Sequence, residues 1–215
     1  MSIGQTVVLL PGLHDTDTQT SALRAALANA TDVTQVLTPD ITVSRSKPVI
    51  LEDPAQRVLG ALSAAGVGRA VLIGHGWGSM IALEIASTHG ERVTALMLST
   101  NARLERIVLR SLYYGVLSLL SATVVQQLGV RPAEVLDLFD QVRPADFRSL
   151  AERVRVPALV VVGEQDIANR GPSATLAKSL PLGNLRVAPT AGAGWHAEQP
   201  DVVAKLLVEF LSTLS

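Results

Sequence analysis

Val71-Leu72-Ile73-Gly74-His75-Gly76-Trp77-Gly78-Ser79 passes from a continuous apolar run into three glycines that alternate with larger residues. A short apolar run bounded by glycine reads as a buried strand, and the glycines mark a sharp turn. Beyond it, Ser79–His89 carries Met80, Ile81, Leu83 and Ile85, apolar nearly all round, as in a central buried helix. Gly90 is placed to close that helix. The unit is therefore strand, tight turn, helix. At its apex stands Gly76, which has no side chain to present.

Working outward, the same kind of run recurs at Thr6–Leu10, Val33–Leu37, Ala70–Ile73, Val93–Leu98, Ala158–Val162 and Leu185–Ala188. Their near-continuous apolarity predicts strands covered on both faces. Helical patterns alternate with them, which predicts a parallel α/β sheet. Before Val58, Leu59 and Leu62, Asp53 suits an N-cap, Pro54 the first turn and Gln56 a capping partner. Asp17 is expected to cap the helix after the first strand. Val203, Leu206, Leu207, Phe210 and Leu214 recur at helical spacing, so the last helix docks one apolar face on the sheet.

Between Ser99 and Ala158 lies an insert of roughly fifty residues, long for a simple crossover. Its helical patterns are Leu104–Leu120, Ala122–Leu128, Pro132–Val142 and Pro144–Val154. The expected division is a core of residues 1–100 and 149–215 with a small helical lid at 101–148. The lid helices are also a candidate homodimer interface.

Bulk properties narrow the function. A chain of 215 residues with 48% hydrophobic and 17% charged residues supports one well-packed domain. A formal net charge of −1 excludes the basic stripe that nucleic acid requires. With no cysteine, disulfides, thiolate metal sites and a Cys nucleophile are excluded. No basic n-region precedes the first strand, and Arg110 interrupts the apolar run Ile107–Leu120. The expectation is a cytoplasmic protein without a membrane or nucleic-acid partner. Gly74-His75-Gly76-Trp77-Gly78-Ser79 partly mimics a dinucleotide loop, but it follows a later strand, and the next strand ends in Leu98-Ser99-Thr100-Asn101 without a carboxylate. No cofactor is expected. His14-Asp15-Thr16-Asp17 is too local to make a metal site by itself, so no metal is expected either.

Four blocks carry a family resemblance: Val7-Val8-Leu9-Leu10-Pro11-Gly12-Leu13-His14-Asp15, the Gly76 turn, Pro157–Asp166, and Gly192-Ala193-Gly194-Trp195-His196-Ala197-Glu198-Gln199-Pro200. Together they resemble the α/β-hydrolase superfamily, and the Gly76 turn resembles its nucleophile elbow, G-x-S-x-G. The resemblance implies a mostly parallel sheet of about six strands, helices on both faces and a small helical lid. It implies an oxyanion loop at Gly12–Leu13, backbone donors at Leu13 and Trp77, and a triad acid at Asp166. Ser, Asp or Cys is expected where Gly76 stands. Counting back five positions from Glu198 places Ala193 where the family carries its catalytic His. A loop shortened by three residues would bring His196 there instead.

With the nucleophile absent, and in the Ala193 register the base as well, the acyl-enzyme route is closed, because such groups act as one unit. The remaining proton carriers are His14, His196 and Asp166. His75 reads as packing, Trp195 as pocket wall or sheet cover, and Ser79 as a helix cap. The expected activity is non-covalent acid–base chemistry on a small apolar ligand bearing a carbonyl. The rival readings are a catalytically silent binding or partner protein, and an ester or thioester hydrolase whose nucleophile has been replaced deliberately.

Overall fold

A computed structural model describes residues 4–12, 15–42, 51–99, 147–192 and 194–214. The strands are β1 (Gln5–Leu10), β2 (Val33–Leu37), β3 (Ala70–His75), β4 (Val93–Ser99), β5 (Ala158–Gly163) and β6 (Gly183–Ala188). They form one sheet in the order β2-β1-β3-β4-β5-β6. Every neighbouring pair is parallel. The helices are α1 (Asp17–Ala28), α2 (Glu52–Ala64), α3 (Trp77–Thr88), α4 (Phe147–Arg153), α5 (Ile167–Ser179), α6 (Trp195–Glu198) and α7 (Pro200–Ser212).

Strand alternation sorts the core into two layers. Val8, Leu10, Leu72, Leu96, Leu98 and Val160 pack with α2, α3 and α4. Val7, Leu9, Val71, Ile73, Met97 and Val161 face the other way and pack with α1 and α7. The order places β1 beside β3, while β2 lies on the far side of β1. The connections therefore diverge between β1 and β3, and a crevice at the carboxyl ends of such strands is where open α/β sheets collect their functional groups.

Several local expectations are corrected. Strands β2 and β6 are the sheet edges and are largely exposed, not covered on both faces. Helix α2 begins at Glu52 after Leu51, so Asp53 and Pro54 lie inside its first turn and no side chain caps it. Thr16, not Asp17, caps α1, through a reciprocal capping box with Gln19. Helix α3 starts at Trp77, two residues before the expected start, so it follows the Gly76 turn directly. The expected lid lies outside the described residues except at its last two positions, and its boundary at 148/149 falls within α4. Among the described residues no helix is long and apolar enough to cross a membrane.

Gly78 fixes how closely α3 sits on the sheet. A Cβ there would collide with the carbonyl oxygen of Leu10 on β1. A Cβ on Gly74 would stand 2.6 Å from the backbone nitrogen of Ser79. Gly78→Ala is expected to lower stability by about 3 kcal/mol, the upper range for overpacking. Denaturant unfolding checks this, and an unchanged midpoint would contradict the close approach.

Candidate active site

The turn between β3 and α3 is made by one residue, and that residue carries no side chain. Gly76 has φ 49° and ψ −110°, a region that side chains tolerate poorly. Its N–H donates to the Ser99 carbonyl at 2.8 Å. The Ser79 hydroxyl donates to the carbonyls of Gly74 at 2.7 Å and Ser99 at 3.2 Å. Ser79 is buried and committed to these two strand ends, so it is a brace for the turn, not the helix cap read from sequence. Trp77 opens α3, where an N–H has no intrahelical acceptor. Its indole is buried and donates to the Ile41 carbonyl at 3.2 Å.

Three ionisable side chains from distant parts of the chain meet beside this turn. His196 lies on α6, His75 ends β3, and Asp15 stands in the loop after β1. His196 Nε2 is 3.0 Å from Asp15 Oδ1, and His75 Nε2 is 4.0 Å from the same oxygen. The imidazoles are stacked, with centroids 3.4 Å apart and planes at 22°. Gly12 N–H donates to Asp15 Oδ2 at 2.6 Å, which closes the loop on itself. Gly12 has to be glycine here, since a Cβ would stand 2.7 Å from His75 Cδ2.

The charge state of Asp15 follows from its surroundings. Burial raises its pKa, but the His196 hydrogen bond, the field of the two imidazoles and the Gly12 N–H together outweigh burial and hold it below the ordinary value. An ionised carboxylate only accepts hydrogen bonds, so the nitrogen 3.0 Å away must be the donor. His196 Nε2 is thus the donor to Asp15. Its Nδ1 is buried and meets no hydrogen-bond partner among the described residues.

Asp166 takes a different place from the one expected of a triad acid. It caps α5, accepting from Asn169 N at 3.3 Å and Asn169 Nδ2 at 2.7 Å. The acid against His196 is Asp15, and Asp166 is not in that contact. Trp195 is buried and donates from Nε1 to Ser99 Oγ at 3.2 Å. Leu13, His14 and Ala193 lie outside the described residues. Sequence reading considered Asp15 only within a local metal motif and passed over Ser99. Asp15 and His196 are 181 positions apart, so no spacing points to their meeting. Ser99 had one usable signal, the carboxyl end of the strand next to the turn.

A cavity opens at these side chains on the α1 and α7 side of the sheet. Leu9, Ile73, Met97, Val161, Trp195 and Val203 supply apolar walls, and Asp15, His75, Ser99 and His196 supply polar groups. Asp15, His75 and His196 also form a group whose ligating atoms lie within 4.8 Å of one another. A metal requires lone pairs that converge, whereas imidazole lone pairs lie in the ring plane. Near-parallel stacked rings send them side by side. The arrangement as it stands is a hydrogen-bonded dyad with a second ring against it.

Residues 7–206 match the Alpha/beta hydrolase family. The chain belongs to that family. Among solved structures it is similar to the enol-lactonase from Burkholderia xenovorans LB400, at 22% identity over 97% of this chain and 92% of that one, with a TM-score of 0.67. It is similar to a thermophilic esterase from Thermogutta terrifontis, at 20% identity over 99% and 91%, TM-score 0.67. A third is an α/β-hydrolase enzyme from the metagenome of lagoon sediments at Mar Chica, Morocco, at 19% identity over 98% and 91%, TM-score 0.69. At these identities the likeness is one of fold. No curated protein matches the chain.

Two predictions follow from the site. Asp15→Asn is expected to cost about 2 kcal/mol at neutral pH, the scale of a charge-assisted hydrogen bond. Because the folded pKa is depressed, the wild-type advantage is complete above the ordinary carboxylate pKa and shrinks as pH falls through the lower folded value. Paired denaturation curves at pH 7 and pH 3 check the sign; a gap that widens in acid would refute it. Gly76→Ser is expected to lower stability by about 1–3 kcal/mol through backbone strain. It should leave hydrolysis of 4-nitrophenyl acetate at the parent level, because among the described residues no hydrogen bond joins His196 or Asp166 to the Gly76 turn. Strong esterase activity from that single change would mean that the new hydroxyl is within reach of His196.

Proposed function

We propose that this family member is an enzyme that acts on a small, apolar, carbonyl-bearing molecule by acid–base catalysis without a covalent intermediate. The reaction class is cyclisation, elimination, isomerisation or direct attack by water. One observation carries the reading: the Asp15–His196 dyad lines an apolar cavity, and His196 Nδ1 has no hydrogen-bond partner among the described residues. Apolar walls around a few convergent polar groups are the usual form of a small-molecule site.

In this reading His196 Nδ1 removes a proton from the ligand or from an attacking water. Asp15 stays ionised, keeps Nε2–H in place and stabilises the imidazolium that forms. The amides of Leu13 and Trp77 cradle the carbonyl oxygen as charge develops on it. His14, one position before Asp15, serves as the second proton carrier. Gly76 leaves space at the turn for a ligand atom or a water in place of a hydroxyl. The lid of residues 101–148 shapes the entrance, and a homodimer through its helices is compatible with this arrangement.

A silent binding protein is the second reading. Gly76 favours it, because glycine simply relieves strain in a turn that no longer attacks anything. Turnover separates the two. The parent protein is expected to hydrolyse an activated ester slowly, and His196→Ala to reduce kcat about a hundredfold or more, the range for a lost general base. Equal rates in parent and variant, together with a rise in Tm on adding small ketones or esters, would replace the enzyme reading with the binding one.

A further inference from the structure

The cavity holds a second polar atom whose hydrogen-bonding capacity is half used. Ser99 Oγ accepts from the indole N–H of Trp195 at 3.2 Å. Its carbonyl is held by Gly76 N–H and by the Ser79 hydroxyl, so the backbone beneath the side chain is fixed to the turn. The Ser99 hydroxyl proton meets no acceptor among the described residues. His75 and Ser99 are register partners on β3 and β4, and both side chains belong to the cavity lining. A hydroxyl that receives a hydrogen bond donates a stronger one, because the bonds polarise each other.

We propose that Ser99 is a further catalytic residue of this site, which with His196 selects enolisable carbonyl compounds. The proposal rests on the acid–base reading above. Ser99 and His196 line the same cavity, with aliphatic walls from β1, β3, β4 and β5, and His196 Nδ1 has no hydrogen-bond partner among the described residues; in the proposal Ser99 donates and Nδ1 accepts. A ligand complementary to that pair carries an oxygen acceptor and an acidic hydrogen on the neighbouring atom, within an apolar body. A ketone or aldehyde with an α-hydrogen meets the requirement. A carbonyl compound without one leaves the Nδ1 lone pair buried and unused, which is a cost for a desolvated polar atom.

The step balances within the site. His196 Nδ1 takes the α-proton, the C–H electron pair becomes the new C=C bond, and the carbonyl π pair moves onto oxygen. Ser99 O–H donates to that oxygen as its charge grows. Asp15 remains ionised against Nε2–H. Return of the proton to either face of the enolate carbon regenerates the carbonyl, and no external oxidant or co-reactant is consumed.

The test is α-hydrogen exchange of cyclohexanone in D2O, followed by proton NMR with the full chain. The parent protein is expected to accelerate exchange over buffer, and His196→Ala to abolish the acceleration. Ser99→Ala should lower kcat about a hundredfold, the scale of a lost oxyanion donor. Ser99→Thr keeps the hydroxyl and should retain most of the rate. The carbonyl stretch of bound cyclohexanone should lie lower in the parent than in Ser99→Ala, a signature that a merely structural serine would not produce. No exchange by the parent protein overturns the enolisable class. Exchange and stretch unchanged in Ser99→Ala overturn the role of Ser99 but leave His196 standing. Ester hydrolysis and exchange both untouched by His196→Ala overturn the acid–base reading itself.

Discussion

The site depends on one backbone constraint: β3 must become α3 within a single residue. At Gly76 the chain takes φ 49° and ψ −110°, and the turn is held from beneath by Ser79 Oγ and by the Ser99 carbonyl. The close seating of α3 then requires glycine at 74 and 78, since side chains there would strike Ser79 and Leu10. With α3 seated, the ends of β1, β3 and β4 are brought to one level, and Asp15, His75 and Ser99 hang from those ends. Changing the apex residue therefore leaves the framework intact, whereas enlarging its glycine neighbours does not.

That separation accounts for what this chain retains. A nucleophile at the apex stores strain that the rest of the fold must offset. Glycine removes the strain and the chemistry together, while the hydrogen bonds that shape the turn all come from backbone groups or from Ser79. The shape of the turn is thus independent of the side chain at its apex.

The layers of the fold were legible in the sequence because they are local. Val33–Leu37 is apolar enough to announce a strand, and its observed bounds are those expected. What sequence did not reveal was edge position: Leu185 and Val187 read as buried, yet β6 has a neighbour on one side only, and both are exposed. Caps misled for a related reason. Asp53 and Asp17 both suit a helix start, but the reciprocal bonds of Thr16 and Gln19 fix α1 one residue earlier. Near the cavity, the sharp turn at Gly76 was legible from the family's motif. The contact of Asp15 with His196 was not, since it arises from folding the first loop onto a helix near the other end of the chain.

The contact with Asp15 also decides which nitrogen of His196 is engaged. A carboxylate fixes the tautomer of the imidazole it touches, and here it touches Nε2. The nitrogen left without a partner among the described residues is consequently Nδ1, the one nearer the backbone, and its position is set by where α6 sits, not by the length of the side chain. Trp195, the preceding residue, anchors α6 to Ser99 through its indole N–H. His196 and the indole partner of Ser99 are thus adjacent residues of one short helix. A shift of α6 would move His196 while Ser99 stays on β4, so the hydrogen bond from Trp195 is what holds the two side chains in register across the cavity.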